Sequence, residues 1–573
     1  MRRAPVPWPS VAGALAAALA LGGCVILFDY DEYGDAGAGA GANADAGADA
    51  GAGGQGGVAE SCDPGTTAPC YTGEPSTTED VGVCVGGTRT CRPDGQGYGA
   101  CAGEVTPVVE VCANRADEDC NGALCAEPRW SQRYGDNREQ ALAGLTIDGA
   151  DSILLTGWFK GDLELAPLPA ITRDPASGPD LFVAKLSSDG APLWLMGGGD
   201  AAAPAQRGQG VATDLLGGNV FVTGYREAVN ADPEAGFLLK FSGNGVPSTP
   251  VTFSGSGHTR GLAVAADIGV SLYVVGRYQG TIQLNVAHTS SPPERSDVLI
   301  IQLFSHPTMG WSRSFGGSAD DEALGVTVDP SNQVLVTGRY RRVMAFDDTK
   351  EPLVDDLPDA GAASDAFVMK LGPDGKVRWA RGLVDSTDAA DAAGRAIAAG
   401  PDGSLVVAGS MSGTTRFGGD SSVPLESGGG VDAFVARYNT DGELLWAKAL
   451  GGPGEEHATG LSVDWNGNVF VSGTFTGTID LEPGAPGGEL TSAGDQDLFL
   501  AKLSAEGAYL WSARFASAGA SAPGGDPRLI RVAAPTGEAF LAGSWDSELG
   551  FGAETGPLSP LGDLDVFLAR FGL

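Results

Sequence analysis

Asp497-Leu498-Phe499-Leu500-Ala501-Lys502-Leu503 is the stretch on which the fold turns. Similar short apolar runs stand at 180–186, 236–241, 297–303, 365–371, 432–438 and 565–571, which makes seven copies. Working outward, a Trp strand such as Leu444-Leu445-Trp446-Ala447-Lys448 opens each unit, and a Gly-Gly loop leads to Gly460-Leu461-Ser462-Val463-Asp464. A turn follows, and then Val469-Phe470-Val471-Ser472-Gly473. Alternation within these runs marks strands, and the Gly/Asn/Asp clusters between them mark turns. The element ending in glycine also recurs seven times, closing at Gly157, Gly224, Gly276, Gly338, Gly409, Gly473 and Gly543. Tryptophans keep step at 130, 194, 311, 379, 446 and 511; the copy near residue 250 lacks one. From Trp130 to the end there are 444 residues, about 63 per copy. Four strands repeated seven times predict an all-β fold, a seven-bladed β-propeller that buries its sheets blade against blade.

These motifs resemble the SBBP-type bacterial propeller repeat, which carries a D-x-F-V-A-K-L strand, a D-G turn, a Trp strand and a V-T-G strand. The resemblance implies a seven-bladed propeller on an exported protein and leaves the activity open. Asp189-Gly190, Asp374-Gly375 and Asp441-Gly442 precede Trp194, Trp379 and Trp446. Their spacing differs from the sialidase Asp-box, and they read as tight hairpin turns followed by a packing tryptophan. Asp464-Trp465-Asn466-Gly467-Asn468 likewise reads as a hairpin connection.

Composition narrows the partners. The 72 acidic residues outnumber the 35 basic ones, and a formal charge of −37 argues against a nucleic-acid partner, which requires a basic face. The N-terminus supplies an address. Arg2 and Arg3 precede eleven apolar residues, Val11 to Leu21, a length that suits a secretory core better than a bilayer span of about 20. Leu21-Gly22-Gly23-Cys24 resembles a bacterial lipobox. That resemblance implies a signal peptide over 1–23, cleavage after Gly23 and acylation of Cys24, hence an exported chain held to a membrane by lipid. Val25 at the next position points to the outer membrane, and the alternative is an uncleaved anchor. Residues 24–60 read as an acidic flexible tether: twenty of the thirty residues from 31 to 60 are Gly or Ala, with no Lys or Arg. Such a coil spans about 30 Å.

The other eight cysteines, Cys62, Cys70, Cys84, Cys91, Cys101, Cys112, Cys120 and Cys125, all fall within a module at 61–127. An even count in an exported segment predicts a disulfide framework whose pairing the sequence leaves open. The module holds no C-x-x-C pair and no histidine, which argues against zinc. Asp117, Asp119, Asn121 and Gly122 reproduce the opening of a calcium loop, in which alternate oxygens converge on a hard cation. Pro128 stands where an EF-hand needs its glutamate, so the choice is between a structural calcium site and an acidic turn pinned by Cys120. The Asp117-Glu118-Asp119-Cys120-Asn121-Gly122 layout resembles the MopE-like, cysteine-rich modules of myxobacterial-type surface proteins.

Within the propeller, 128–573, acids cluster before the innermost strands: Glu139, Asp320, Asp321, Glu322, Asp391, Glu455, Glu456 and Asp526. Propeller geometry predicts that they gather on one rim, suited to a cation or a basic partner. His258 and His457 precede innermost strands and read as ordinary polar residues. The array opens on a Trp strand and closes on a third-strand element, so residues 128–136 are expected to complete the last blade by pairing with 565–571. The sequence reads as a non-catalytic cell-envelope lipoprotein that binds or displays a protein or polysaccharide. The alternative is a propeller enzyme, of glycosidase or lyase type, acting on an extracellular polymer.

Overall fold

The computed structural model describes residues 61–73, 79, 83–108 and 127–572, less short internal stretches of which 347–356 and 518–530 are the longest. Every element in it of two or more residues is a strand. The expected leader over 1–23, Cys24, the tether over 24–60, Cys112, Cys120, Cys125, the Asp117–Asp119–Asn121 motif and Asp526 lie outside the described residues.

In the cysteine-rich segment, Thr67–Cys70 pairs antiparallel with Gly87–Thr90. Disulfides Cys62–Cys91 and Cys70–Cys101 staple this small ribbon, and Cys84 is disulfide-bonded as well. So few buried apolar side chains would not hold the segment without them.

The remainder is a seven-bladed propeller. Blade one is built from Gln140–Ile147, Ile153–Phe159, Asp180–Leu186 and Pro192–Gly197, hydrogen-bonded in that order from the axis outward. Blades two to seven begin at the innermost strands Gln206–Thr213, Thr259–Ala266, Glu322–Val328, Ala392–Ala399, Glu456–Val463 and Arg531–Ala533. In blade seven the outer strand comes from the other end of the array. Glu127–Tyr134 pairs antiparallel with Asp565–Gly572, Trp130 opposite Arg570 and Tyr134 opposite Val566. The pairing expected from the strand count is therefore present.

Seven apolar cores lie between the blades, and each draws on two neighbours. Leu154, Leu181 and Val183 of blade one face blade two, whereas Ile153, Leu155, Phe182 and Ala184 face Phe540, Val566 and Leu568 of blade seven. Successive strand residues point to opposite faces, and both faces here are covered, so the second and third strands are apolar almost throughout. The cluster between blades seven and one is as continuous as the others, which closes the ring.

The V-T-G signature has a steric cause. A Cβ on Gly338 would lie 2.0 Å from the carbonyl oxygen of Glu322 on the inner strand, and one on Gly224 would lie 2.0 Å from that of Arg207. The threonine before the glycine bonds its own blade and packs on the next. Thr337 Oγ1 donates to the Phe367 carbonyl at 2.7 Å, and the same oxygen would lie 2.0 Å from a Cβ on Gly394 of blade five. Beside Gly394 the inner strand bulges, an irregularity that recurs in blades one to six.

The tryptophans interlock the outer edge. Trp379 of blade four lies over Gly442 in the turn between the third and fourth strands of blade five, and its Nε1 donates to the Thr440 carbonyl at 3.0 Å. Trp194, Trp311 and Trp446 repeat this on Gly243, Pro373 and Ala505. Gly442 has φ of +78°, and a Cβ there would sit 2.6 Å from the indole, so both backbone and neighbour demand glycine. The Asp-Gly pairs are thus turns bearing a packing tryptophan.

Candidate functional site

Two ends of the ring differ in chemistry. At one, the innermost strands begin and the second strands finish. The residue after each second-strand glycine stands opposite the start of the first strand: Trp158 opposite Ala141, Tyr225 opposite Arg207, Arg277 opposite Arg260, Arg339 opposite Glu322. Blade rotation then brings each first-strand residue onto the second strand of the preceding blade. The Arg207 guanidinium stacks 4.3 Å from the Trp158 ring, and that of Arg260 lies 4.4 Å from Tyr225. Glu322 takes Arg277 of the preceding blade at 3.3 Å and Arg339 of its own at 2.6 Å. Three consecutive blade junctions therefore carry a belt of guanidiniums, aromatic faces and carboxylates.

The belt is held from behind. Arg207 Nε reaches Glu227 at 2.7 Å, and Arg260 makes a two-pronged contact with Glu234 at 2.5 and 2.6 Å. Burial alone would raise the Glu234 carboxyl, but Arg260 outweighs it and holds it below the usual range. Tyr225 is pushed up by burial and stays a neutral donor. Glu234, His258, Arg260, Arg277 and Gln279 line a cavity of about 150 Å³. His258 lies 3.5 Å from Glu234. Each guanidinium has five N–H groups, and the contacts with Glu322 leave several on Arg277 and Arg339 for a ligand.

The described acids among those singled out in the sequence, all but Asp526, come to this same end, but most have partners. Glu139 meets Lys160 at 2.5 Å and Asp320 meets Arg295 at 2.8 Å. Asp391 accepts from the Ser364 amide and hydroxyl, which hold its carboxyl below the usual range against the effect of burial. Asp321 and Glu456 are buried and close the Gly-Gly loops: Asp321 accepts from the Gly317 amide at 3.0 Å, and Glu456 from the Gly452 amide at 3.0 Å. In blade one the uncharged Gln140 accepts from the Asp136 amide in the same role. Glu455 donates its amide to Thr476 Oγ1. His457 is half-buried, and burial pushes its imidazole down to about 4. Among the described residues no group of three or more His, Cys, Asp or Glu side chains is placed to hold a metal ion.

The sequence reading counted acids and passed over the arginines. The available signal was positional: the residue after each second-strand glycine reads Trp, Tyr, Arg, Arg in blades one to four, then Ser, Thr, Ser.

No protein-family model matches the chain. It is 28% identical over 158 residues to an uncharacterized WD repeat-containing protein, L264, of Acanthamoeba polyphaga mimivirus, covering 26% of this chain and 11% of that one. It is 31% identical over 198 residues to the regulatory protein FlaEY of Caulobacter vibrioides, covering 34% of this chain and 20% of that one. The aligned parts thus span 11% and 20% of these two curated relatives. Among solved structures, Sqt1 from Chaetomium thermophilum matches 78% of this chain and all of its own, at 10% identity and a TM-score of 0.38. YCF48 bound to D1 peptide matches 79% of this chain and 97% of its own, at 10% identity and 0.35. Puromycin hydrolase matches 72% and 59%, at 12% identity and 0.33.

Proposed function

We propose that this propeller is a non-catalytic binding module of the cell envelope, exported and held by lipid on Cys24. The observation that carries the binding role is the belt across blades one to four. Partly exposed guanidiniums beside aromatic faces and an amide suit a protein or polysaccharide that bears carboxylates. Support for the address is the Leu21-Gly22-Gly23-Cys24 lipobox, and Val25 favours the outer membrane. The repeat and the module fit the SBBP-type and MopE-like surface proteins, in which Asp117, Asp119 and Asn121 would form either a structural calcium site or an acidic turn pinned by Cys120.

The test is capture of envelope polymers by the soluble unit Ser61–Leu573. Arg260→Glu with Arg277→Glu should cut capture at least tenfold and weaken its salt dependence. Unchanged capture would reject the belt, and a captured polymer that emerges shortened would make the protein a propeller enzyme. Cys24→Ser should abolish incorporation of labelled fatty acid; unchanged incorporation would reject the anchor.

A further inference from the structure

The opposite end of the ring, where the first strand of each blade turns into the second, is apolar at its centre. A cavity of about 480 Å³ opens there, walled by the strand ends Val328 and Val463 and by the turn residues Ile268, Pro330, Pro401 and Trp465. Those turn residues come from four consecutive blades and occupy one position, directly after the residue that starts the turn. The turn itself does not ask for them. In blade six it is built by the preceding carboxylate: Asp464 Oδ1 accepts from the Asn466 and Asn468 amides, both at 2.9 Å. Asp148 does the same in blade one, where Gly149 holds the position of Trp465. Trp465 is 76% exposed and Ile268 60% exposed, so neither supports the core. An indole in water at a position where glycine suffices points to a partner.

Charge identifies the kind of partner. The cations directly behind the turns of this mouth are turned inward: Lys185 pairs with Asp148, Lys370 with Asp329 and Arg437 with Asp402, and all three are buried. The turns between the first and second strands of blades one to six hold no Lys or Arg among their described residues, and Asp151 and Asp402 are exposed there; the exposed Lys376 stands farther out, in the turn between the third and fourth strands of blade four. An apolar centre inside an acidic surround, on a chain of formal charge −37, fits an apolar segment with cationic flanks. An anionic lipid surface would be repelled, and a second copy would set one acidic face against another.

We infer that the mouth around Trp465 and Ile268 is a docking site for an extended peptide whose bulky apolar side chains enter the cavity while flanking Lys or Arg residues meet the acidic turns. This site is independent of the arginine belt, so either can fail without the other.

The measurement is fluorescence anisotropy of labelled heptapeptides against the full chain in mild detergent. Lys-Lys-Leu-Phe-Leu-Lys-Lys should bind saturably, weaken with salt, and bind at least tenfold more tightly than its Glu-flanked analogue or a Lys-flanked serine peptide. Trp465→Ser with Ile268→Ser should lose at least tenfold in affinity while keeping the melting temperature, because both side chains are exposed. Arg260→Glu with Arg277→Glu should leave this binding unchanged. Equal binding of the three peptides, or binding that survives the Trp465 and Ile268 changes, would overturn the site. So would Trp465-dependent binding to phosphatidylglycerol vesicles, or Trp465-dependent dimerisation, without peptide binding.

Discussion

A single missing Cβ accounts for one of the most regular features of the chain. Gly338 lies under the Glu322 carbonyl, so Gly338→Ala forces strands apart in a packed blade and should cost roughly 1–3 kcal/mol, typical of overpacking. Chemical denaturation measures this, and a loss under 0.5 kcal/mol would contradict the steric reading. The buried acids give a second prediction at this scale. Burial pushes Asp321 up to about 7 and Glu456 up to about 8, so the folded state favours their neutral forms. Their contribution is full below the ordinary carboxyl range near pH 4 and is lost as pH rises through about 7 to 8. The melting temperature of the wild type should therefore fall between pH 5 and 8. Asp321→Asn with Glu456→Gln should flatten that slope, as the natural Gln140 suggests, whereas a parallel slope would contradict the assignment. Repetition in the sequence marked these residues, but a repeat unit does not reveal where a carboxylate points. Counting Glu and Asp before the inner strands located the right end of the ring, yet the loop amides that take Asp321 and Glu456 are visible only in three dimensions.

At the scale of elements, the interlock between blades separates two tryptophans that look equivalent in sequence. Trp379 Nε1 donates to the Thr440 carbonyl, so Trp379→Phe removes a hydrogen bond as well as ring area. Trp130 meets Gly190 only with its Cη2 edge, beside the Gln132 amide, and its Nε1 has no partner. The Ser188 carbonyl that it would use accepts from Arg570 at 2.9 Å instead. Trp379→Phe should thus cost about 1 kcal/mol more than Trp130→Phe; equal losses would show that the indole N–H contributes nothing to the interlock. Strand order, turn positions and the completion of blade seven by Glu127–Tyr134 were legible because the repeat leaves each blade a fixed complement of elements. The Cys62–Cys91 and Cys70–Cys101 pairing was not, since eight cysteines without a repeat allow many connectivities. The arginine belt was also missed: it joins residues of different blades, and a per-repeat reading aligns copies without showing which of them touch.

On the scale of the whole molecule, the two candidate surfaces lie at opposite ends of one ring: the belt joins blades one to four, and the apolar mouth joins the turns of blades three to six. Neither crosses the closing junction, and closure fixes the curvature that turns these blades toward a common axis. Closure rests on the blade that joins residues from both ends of the array, where Ser131 stands opposite Ala569. Facing residues of antiparallel strands have Cβ atoms about 4.5–5.5 Å apart, near enough for a disulfide after small adjustment. The direct measurement is oxidation of the Ser131→Cys, Ala569→Cys double variant, followed by peptide mapping. A closed ring predicts an intramolecular 131–569 cross-link in monomeric protein and a raised melting temperature. Absence of that link, or its appearance only between chains, would contradict the closed seven-bladed ring.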